Sequence, residues 1–178
     1  MCVRRPQPSR HGVAAVEFAV CLPLLLVLLM GTWEIARLVQ VYQVIANAAR
    51  EGARIAAQGQ IINLTGAYTQ ITKTSSNPNV TDTVRNYVQN MGINTTGLTV
   101  AFTFLDSGGS PVGSPSEPWQ GIKGQRFAVT VTLPYSSFRL NALNYFNINE
   151  VSSTVNWVSL KDDPFTLDTT MPSWNPLP

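Results

Sequence analysis

Val13-Ala-Ala-Val-Glu-Phe-Ala-Val-Cys-Leu-Pro-Leu-Leu-Leu-Val-Leu-Leu-Met-Gly-Thr-Trp33 is a run of 21 residues with one charge, Glu17. A helix needs about 20 predominantly apolar residues to cross a bilayer. The core from Cys21 to Met30 is apolar without interruption. An amphipathic helix of a soluble domain alternates apolar and polar faces, so this pattern does not describe one. The run therefore predicts a transmembrane helix over residues 13–33.

Its flanks set an orientation. Arg4, Arg5, Arg10 and His11 precede the run, whereas Glu34 and Arg37 follow it and nearly cancel. Basic flanks stay on the cytoplasmic side. The expectation is a single-pass protein of the inner (cytoplasmic) membrane, with a cytoplasmic leader at residues 1–12 and an extracytoplasmic C-terminal domain. A cleaved secretory signal would need small residues in an A-x-A arrangement just after the run. The residues there are Met30-Gly-Thr-Trp-Glu-Ile35, and the helical pattern continues through them, so the segment reads as a retained anchor.

The net charge of +2 belongs to that leader. Removing Arg4, Arg5 and Arg10 leaves nine basic against ten acidic residues, and no basic face for nucleic acid. The two cysteines, Cys2 and Cys21, lie in the leader and the apolar run, so the exported part carries no disulfide framework. A single histidine excludes a His-rich metal cluster. Asp162, Asp163 and Asp168 match no standard calcium loop, and Pro164 interrupts them. There is no P-loop, G-x-S-x-G or H-E-x-x-H. The expectation is a protein that is not an enzyme, with no cofactor, metal or small-molecule substrate. Sequons at Asn63, Asn79 and Asn94 suit a chain rich in Asn and Thr and are not read as glycosylation sites.

Pro23 lies inside the run, removes one backbone hydrogen bond and should kink the helix. Membrane helices tolerate this where neighbours cover the freed carbonyl. The same proline also suits a locally meltable segment used in packing, and both readings stay open.

The helix should not end at the membrane. Ile35, Leu38, Tyr42, Ile45, Ala49, Gly52 and Ala56 recur at alternating spacings of three and four, which makes one apolar stripe through residues 34–58. Its members shrink toward the end, and small residues permit close approach of a neighbour. Two partners suit the stripe: the chain's own C-terminal domain, expected for its second half, and helices of other subunits. Arg50, Glu51 and Arg54 read as a solvated face with weak ion pairs. Gly59 is the expected terminator.

Residues 59–161 read as a head domain. Residues 61–76 are polar and give no clear signal. Residues 79–91 predict a second helix, capped by Asn79 or Thr81 and ended by Gly92, with Val80, Val84, Tyr87, Val88 and Met91 as its apolar face. Residues 98–105, 126–133 and 151–160 predict strands, and 106–115 a turn-rich loop. The fold class is α+β: a long N-terminal transmembrane helix continuing as a stalk, packed against a small antiparallel sheet of about three strands with one extra helix. Residues 162–178, with four prolines, read as an irregular tail.

Arg10-His-Gly-Val-Ala-Ala-Val-Glu-Phe18 resembles the type IV prepilin processing site: a basic leader, Gly at −1, four apolar residues, Glu at +5. Phe18 is similar to the aromatic of the Flp/Tad branch. Ala14-Ala-Val-Glu-Phe18, Leu22-Pro-Leu-Leu-Leu26 and Asn47-Ala-Ala-Arg-Glu-Gly-Ala-Arg54 together resemble the TadE-like pseudopilins over about residues 10–58. The resemblance implies a pilin-like fold and cleavage by prepilin peptidase between Gly12 and Val13. It implies a minor pilin that joins other pilins or pseudopilins and the Tad assembly machinery in a Flp/Tad-type pilus or secretion apparatus. Gly12, Val13, Glu17 and Phe18 would form the processing site. Pro23 and the stripe Ile35, Leu38, Tyr42, Ile45, Ala49 and Gly52 would form the assembly helix. After cleavage the amine of Val13 would lie one helical turn from Glu17, close enough for the two charges to neutralise each other. Without cleavage, Glu17 is a carboxylate held near the membrane interface, and the protein is an uncleaved bitopic protein with a periplasmic scaffold or binding head.

Overall fold

The computed structural model describes residues 11–62, 66–138 and 148–161. Arg4, Arg5, Arg10, Cys2, Asn63 and the tail at 162–178, with Asp162, Asp163 and Asp168, lie outside the described residues.

One α-helix, α1 (His11–Gln58), runs unbroken through 48 residues. At about 1.5 Å per residue it is a rod of roughly 70 Å. Its first part is bare: every side chain described from residue 14 to residue 30 is exposed, with Leu24 at 64% and Leu28 at 58%. Its second part is covered by the head. Val41, Ile45, Ala48, Ala49, Ala53, Ala56 and Ala57 are buried. Apolar residues in water are unfavourable by about 25 cal/mol per Å². A single helix that is wet along half its length and dry along the rest therefore needs two different surroundings.

The helix end is built by backbone geometry. Gly59 takes φ +64°, which a Cβ would oppose, and donates its N–H to the Ala56 carbonyl at 3.2 Å. The Leu160 N–H fills the Ala57 carbonyl at 2.8 Å, so the far end of the chain closes the helix terminus. Two short strands follow, β1 (Gln60–Ile62) and β2 (Tyr68–Gln70), paired antiparallel with Ile61 opposite Thr69. The polar stretch that carried no clear signal is thus a small hairpin, with buried Ile71 as its anchor.

The second helix, α2 (Val80–Asn90), buries Val80, Val84 and Val88, one residue per turn. Asn79 caps it, accepting the Asp82 N–H on Oδ1 at 2.7 Å, and is only 3% exposed. At the other end Gly92 has φ +74°. Its N–H reaches the Gln89 carbonyl, and the Ile93 N–H reaches the Val88 carbonyl, the paired bonds of a Schellman motif.

The main sheet has strand order β4-β3-β5-β6, formed by β3 (Thr99–Leu105), β4 (Pro111–Val112), β5 (Arg126–Pro134) and β6 (Glu150–Val158), all antiparallel. The three expected strands form a meander. The fourth is a two-residue extension within the predicted loop. It arises because Asp106 Oδ1 accepts the Ser110 N–H at 2.7 Å and folds the chain back.

Alternation along β5 sorts the faces. Phe127, Val129, Val131 and Leu133 are buried inward. Phe102, Phe104 and Phe127 form an aromatic cluster with ring centroids 5.0, 5.1 and 6.3 Å apart. Both helices lie on this inner face, α1 over β5 and β6 and α2 against α1 and β3. The outer face is uncharged across Thr99-Thr132-Ser152, Ala101-Thr130-Thr154 and Thr103-Ala128-Asn156.

Candidate processing and assembly site

Gly12 is in the first turn of α1, exposed, with nothing within 4 Å of the place a Cβ would occupy. Val13 follows it in the same helix. Glu17 and Phe18 are also exposed, Phe18 by 61%. The structure therefore places the expected processing residues together at an open helix start, apart from the head.

Pro23 sits inside α1, whose assignment as helix continues on both sides of it. Farther along, the apolar stripe divides. Ile45, Ala49 and Gly52 are buried in the head, and Ala56 is 2% exposed. Leu38 is half-buried, whereas Ile35 and Tyr42 are each 51% exposed. The covered face is broader than the stripe, since Val41, Ala48, Ala53 and Ala57 share it. Ile35 and Ala53 are five whole turns apart and share an azimuth on α1, as do Val39 and Ala57, so the stripe divides along the axis and not around it. The head covers the later part, and Ile35, Val39 and Tyr42, at its edge nearer the bare segment, stay about half exposed, with Val39 and Tyr42 beside Ile148 and Val151.

Gly52 explains how closely the two helices approach. A Cβ there would stand 2.6 Å from Val84 Cγ2 and 3.5 Å from Val80 Cγ1. The crossing of α1 and α2 depends on that missing methyl. Beside it, Arg54 donates from Nε and Nη2 to both carboxylate oxygens of Glu51, at 3.0 and 2.6 Å. This hydrogen-bonded pairing holds the Glu51 carboxyl below the usual carboxylate range and raises Arg54. Arg50 Nη1 donates to Asn47 Oδ1 at 2.8 Å. These contacts are local, within the helix, and exposed.

One contact has no sequence signal. The Tyr135 hydroxyl, in the turn just after β5, donates to the Glu34 carboxylate at the start of the stalk. Glu34 had only the look of a flank charge balanced by Arg37. Nothing local links residues 101 positions apart, and only the sheet order brings them together.

Among the described residues no group of His, Cys, Asp or Glu is arranged to hold a metal ion. What the arrangement can do is present a long apolar helix, with a bare glycine at its start and a small domain fixed to its far half. The helix is long and apolar enough to cross a membrane once. No curated protein and no solved structure matches the chain. Residues 12–54 match the model of the TadE-like protein family, a match that opens on Gly12 and closes on Arg54.

Proposed function

We propose that this protein is a minor pilin or pseudopilin of a Flp/Tad-type pilus or related secretion apparatus, cut by prepilin peptidase between Gly12 and Val13. The observation that carries this reading is positional. The family match opens at Gly12, the exposed glycine in the first turn of a helix whose side chains at 14–30 are all exposed. A helix serving only as a tether needs neither a glycine at that point nor an apolar face that outlasts the bilayer. Ile35, Val39 and Tyr42 lie past the span and remain about half exposed. Such a face suits other pilins as partners, with the bilayer holding the helix until it is extracted.

Coexpression with the cognate prepilin peptidase, followed by intact mass measurement, tests the proposal. The expected product begins at Val13, and Gly12→Ala should block its appearance. An unshifted mass in the presence of active peptidase would overturn the processing step.

A further inference from the structure

Among the described residues Arg37 forms no ion pair. Glu34, one turn before it on α1, accepts a hydrogen bond from Tyr135 and forms no ion pair with Arg37 among the described residues. Among the described residues Arg37 Nη1 donates to Gln40 Oε1, at a long 3.4 Å. Arg37 Nε is buried and has no hydrogen-bond partner among the described residues. A buried donor left unpaired is costly, and a guanidinium more so than a neutral group.

Its surroundings are also specific. Trp33, Ala36, Arg37 and Gln40 line an open cavity of about 430 Å³. Trp33 ends the apolar run and is 65% exposed. Indole rings at the end of a membrane span favour the headgroup level, where one part of the ring is apolar and the other wet. Arg37 is four residues farther on, about 6 Å along the axis. The headgroup layer extends roughly 5–7 Å beyond the hydrocarbon on each side, so Arg37 falls within it. Phosphate is the abundant anion at that depth, and the planar fork of Arg matches two phosphate oxygens at once.

We infer that Trp33, Arg37 and Gln40 form a phospholipid-headgroup site in the leaflet on the head's side of the membrane, with the lipid phosphate on the Arg37 guanidinium. The site fixes the depth of the helix, since the phosphate plane is level with Arg37 and the indole lies just beneath. It is independent of whether Gly12 is cut and requires only that α1 spans the bilayer.

The test uses the full chain in detergent micelles titrated with phosphatidylglycerol, with lipid retention read by native mass spectrometry. Wild type should retain one lipid. Arg37→Gln should bind it at least about tenfold more weakly, the loss expected for one charge-assisted contact. Arg37→Lys, which keeps the charge but not the fork, should show a smaller loss. Arg50→Gln, on the exposed stalk away from the span, should match wild type. Equal retention by Arg37→Gln, or an equal loss in Arg50→Gln, overturns the site. Should circular dichroism show Arg37→Gln unfolded, Arg37→Lys decides, and retention equal to wild type is then the overturning result. Millimolar inorganic phosphate should fail to displace the lipid, and stoichiometric displacement would make the ligand a free anion instead.

Discussion

The Tyr135 hydroxyl donates a hydrogen bond to the Glu34 carboxylate, which ties the turn after β5 to the stalk where it leaves the apolar run. Tyr135 is 5% exposed, and its ring meets Phe138 edge-on at 5.1 Å. The head is thus fastened to α1 both by the buried face around Ala48–Ala57 and by a polar bond nearer the membrane. Tyr135→Phe keeps the ring contact and removes the donor. A hydrogen bond to a charged group contributes roughly 1.5–3 kcal/mol, and partial exposure of Glu34 favours the lower end. The expected loss is about 1.5 kcal/mol in urea unfolding. It should come with faster amide exchange near residues 34–41 and unchanged protection in β5. Exchange that rises uniformly through the sheet would show that the bond does not act locally.

Gly52 should resist enlargement for a reason that helix propensity opposes. Ala in place of Gly inside a helix is favoured by about 1 kcal/mol. Here the new methyl would lie 2.6 Å from Val84 Cγ2, on a β-branched side chain with one preferred rotamer in a helix. Overpacking costs about 1–3 kcal/mol, so Gly52→Ala should be neutral to destabilising and Gly52→Leu strongly destabilising. Val84→Ala vacates the clashing position. In a double-mutant cycle the pair Gly52→Ala, Val84→Ala should lose less than the sum of the singles, by at least about 0.5 kcal/mol. Strict additivity would mean that the two helices separate instead of repacking.

The elements that were legible in the sequence are those whose signals are local. The long helix follows from an apolar run without turn residues. α2 follows from Asn79, Gly92 and valines at successive turns, and all three features act in the structure as expected. β5 follows from strict alternation. The hairpin β1–β2 was not legible, because three-residue strands offer no period to read and their pairing is set by Ile71 docking in the core. The covered face of α1 was legible only as a seam. Val41, Ala48, Ala53 and Ala57 join it because α1 is covered by both the sheet and α2, which together span more of its circumference than one partner would. The Glu34–Tyr135 bond depends on strand order, which no local pattern encodes.

Glu51 and Arg54 give the stalk a weak dependence on pH. Arg54 lowers the pKa of Glu51 in the folded protein, first through the hydrogen bond and then through its charge. A carboxyl lowered on folding stabilises above its unfolded pKa, near 4.5, and loses that contribution as pH falls through the folded value. The pair is largely exposed, so its worth is about 0.3–0.5 kcal/mol and falls with salt. Glu51→Gln should lower the urea midpoint slightly at about pH 7, and the gap to wild type should close at about pH 3. A gap that persists in acid would assign the effect to packing and not to charge.

Glu17 supplies the sharpest separation between an anchor and an assembly element. It is exposed in α1, five positions after Gly12, in a segment otherwise free of charge from residue 13 to residue 33. A carboxylate at the centre of a bilayer costs about 2.5–3.5 kcal/mol, and less near the edge, so Glu17 is tolerated by an anchor without being needed there. If processing frees the amine of Val13, the carboxylate gains a cation to neutralise, one turn away in the same chain or on a neighbouring subunit. Glu17→Ala and Glu17→Gln should therefore insert into membranes and, with peptidase present, be cut after Gly12 like wild type. They should fail to copurify with partner pilins, or do so at least about tenfold less, the loss expected when a charge in a low-dielectric contact is left unpaired. Fractionation, intact mass and copurification read these three steps separately. Glu17→Ala that copurifies like wild type would show that the carboxylate has no part in assembly and leave it as an interfacial charge.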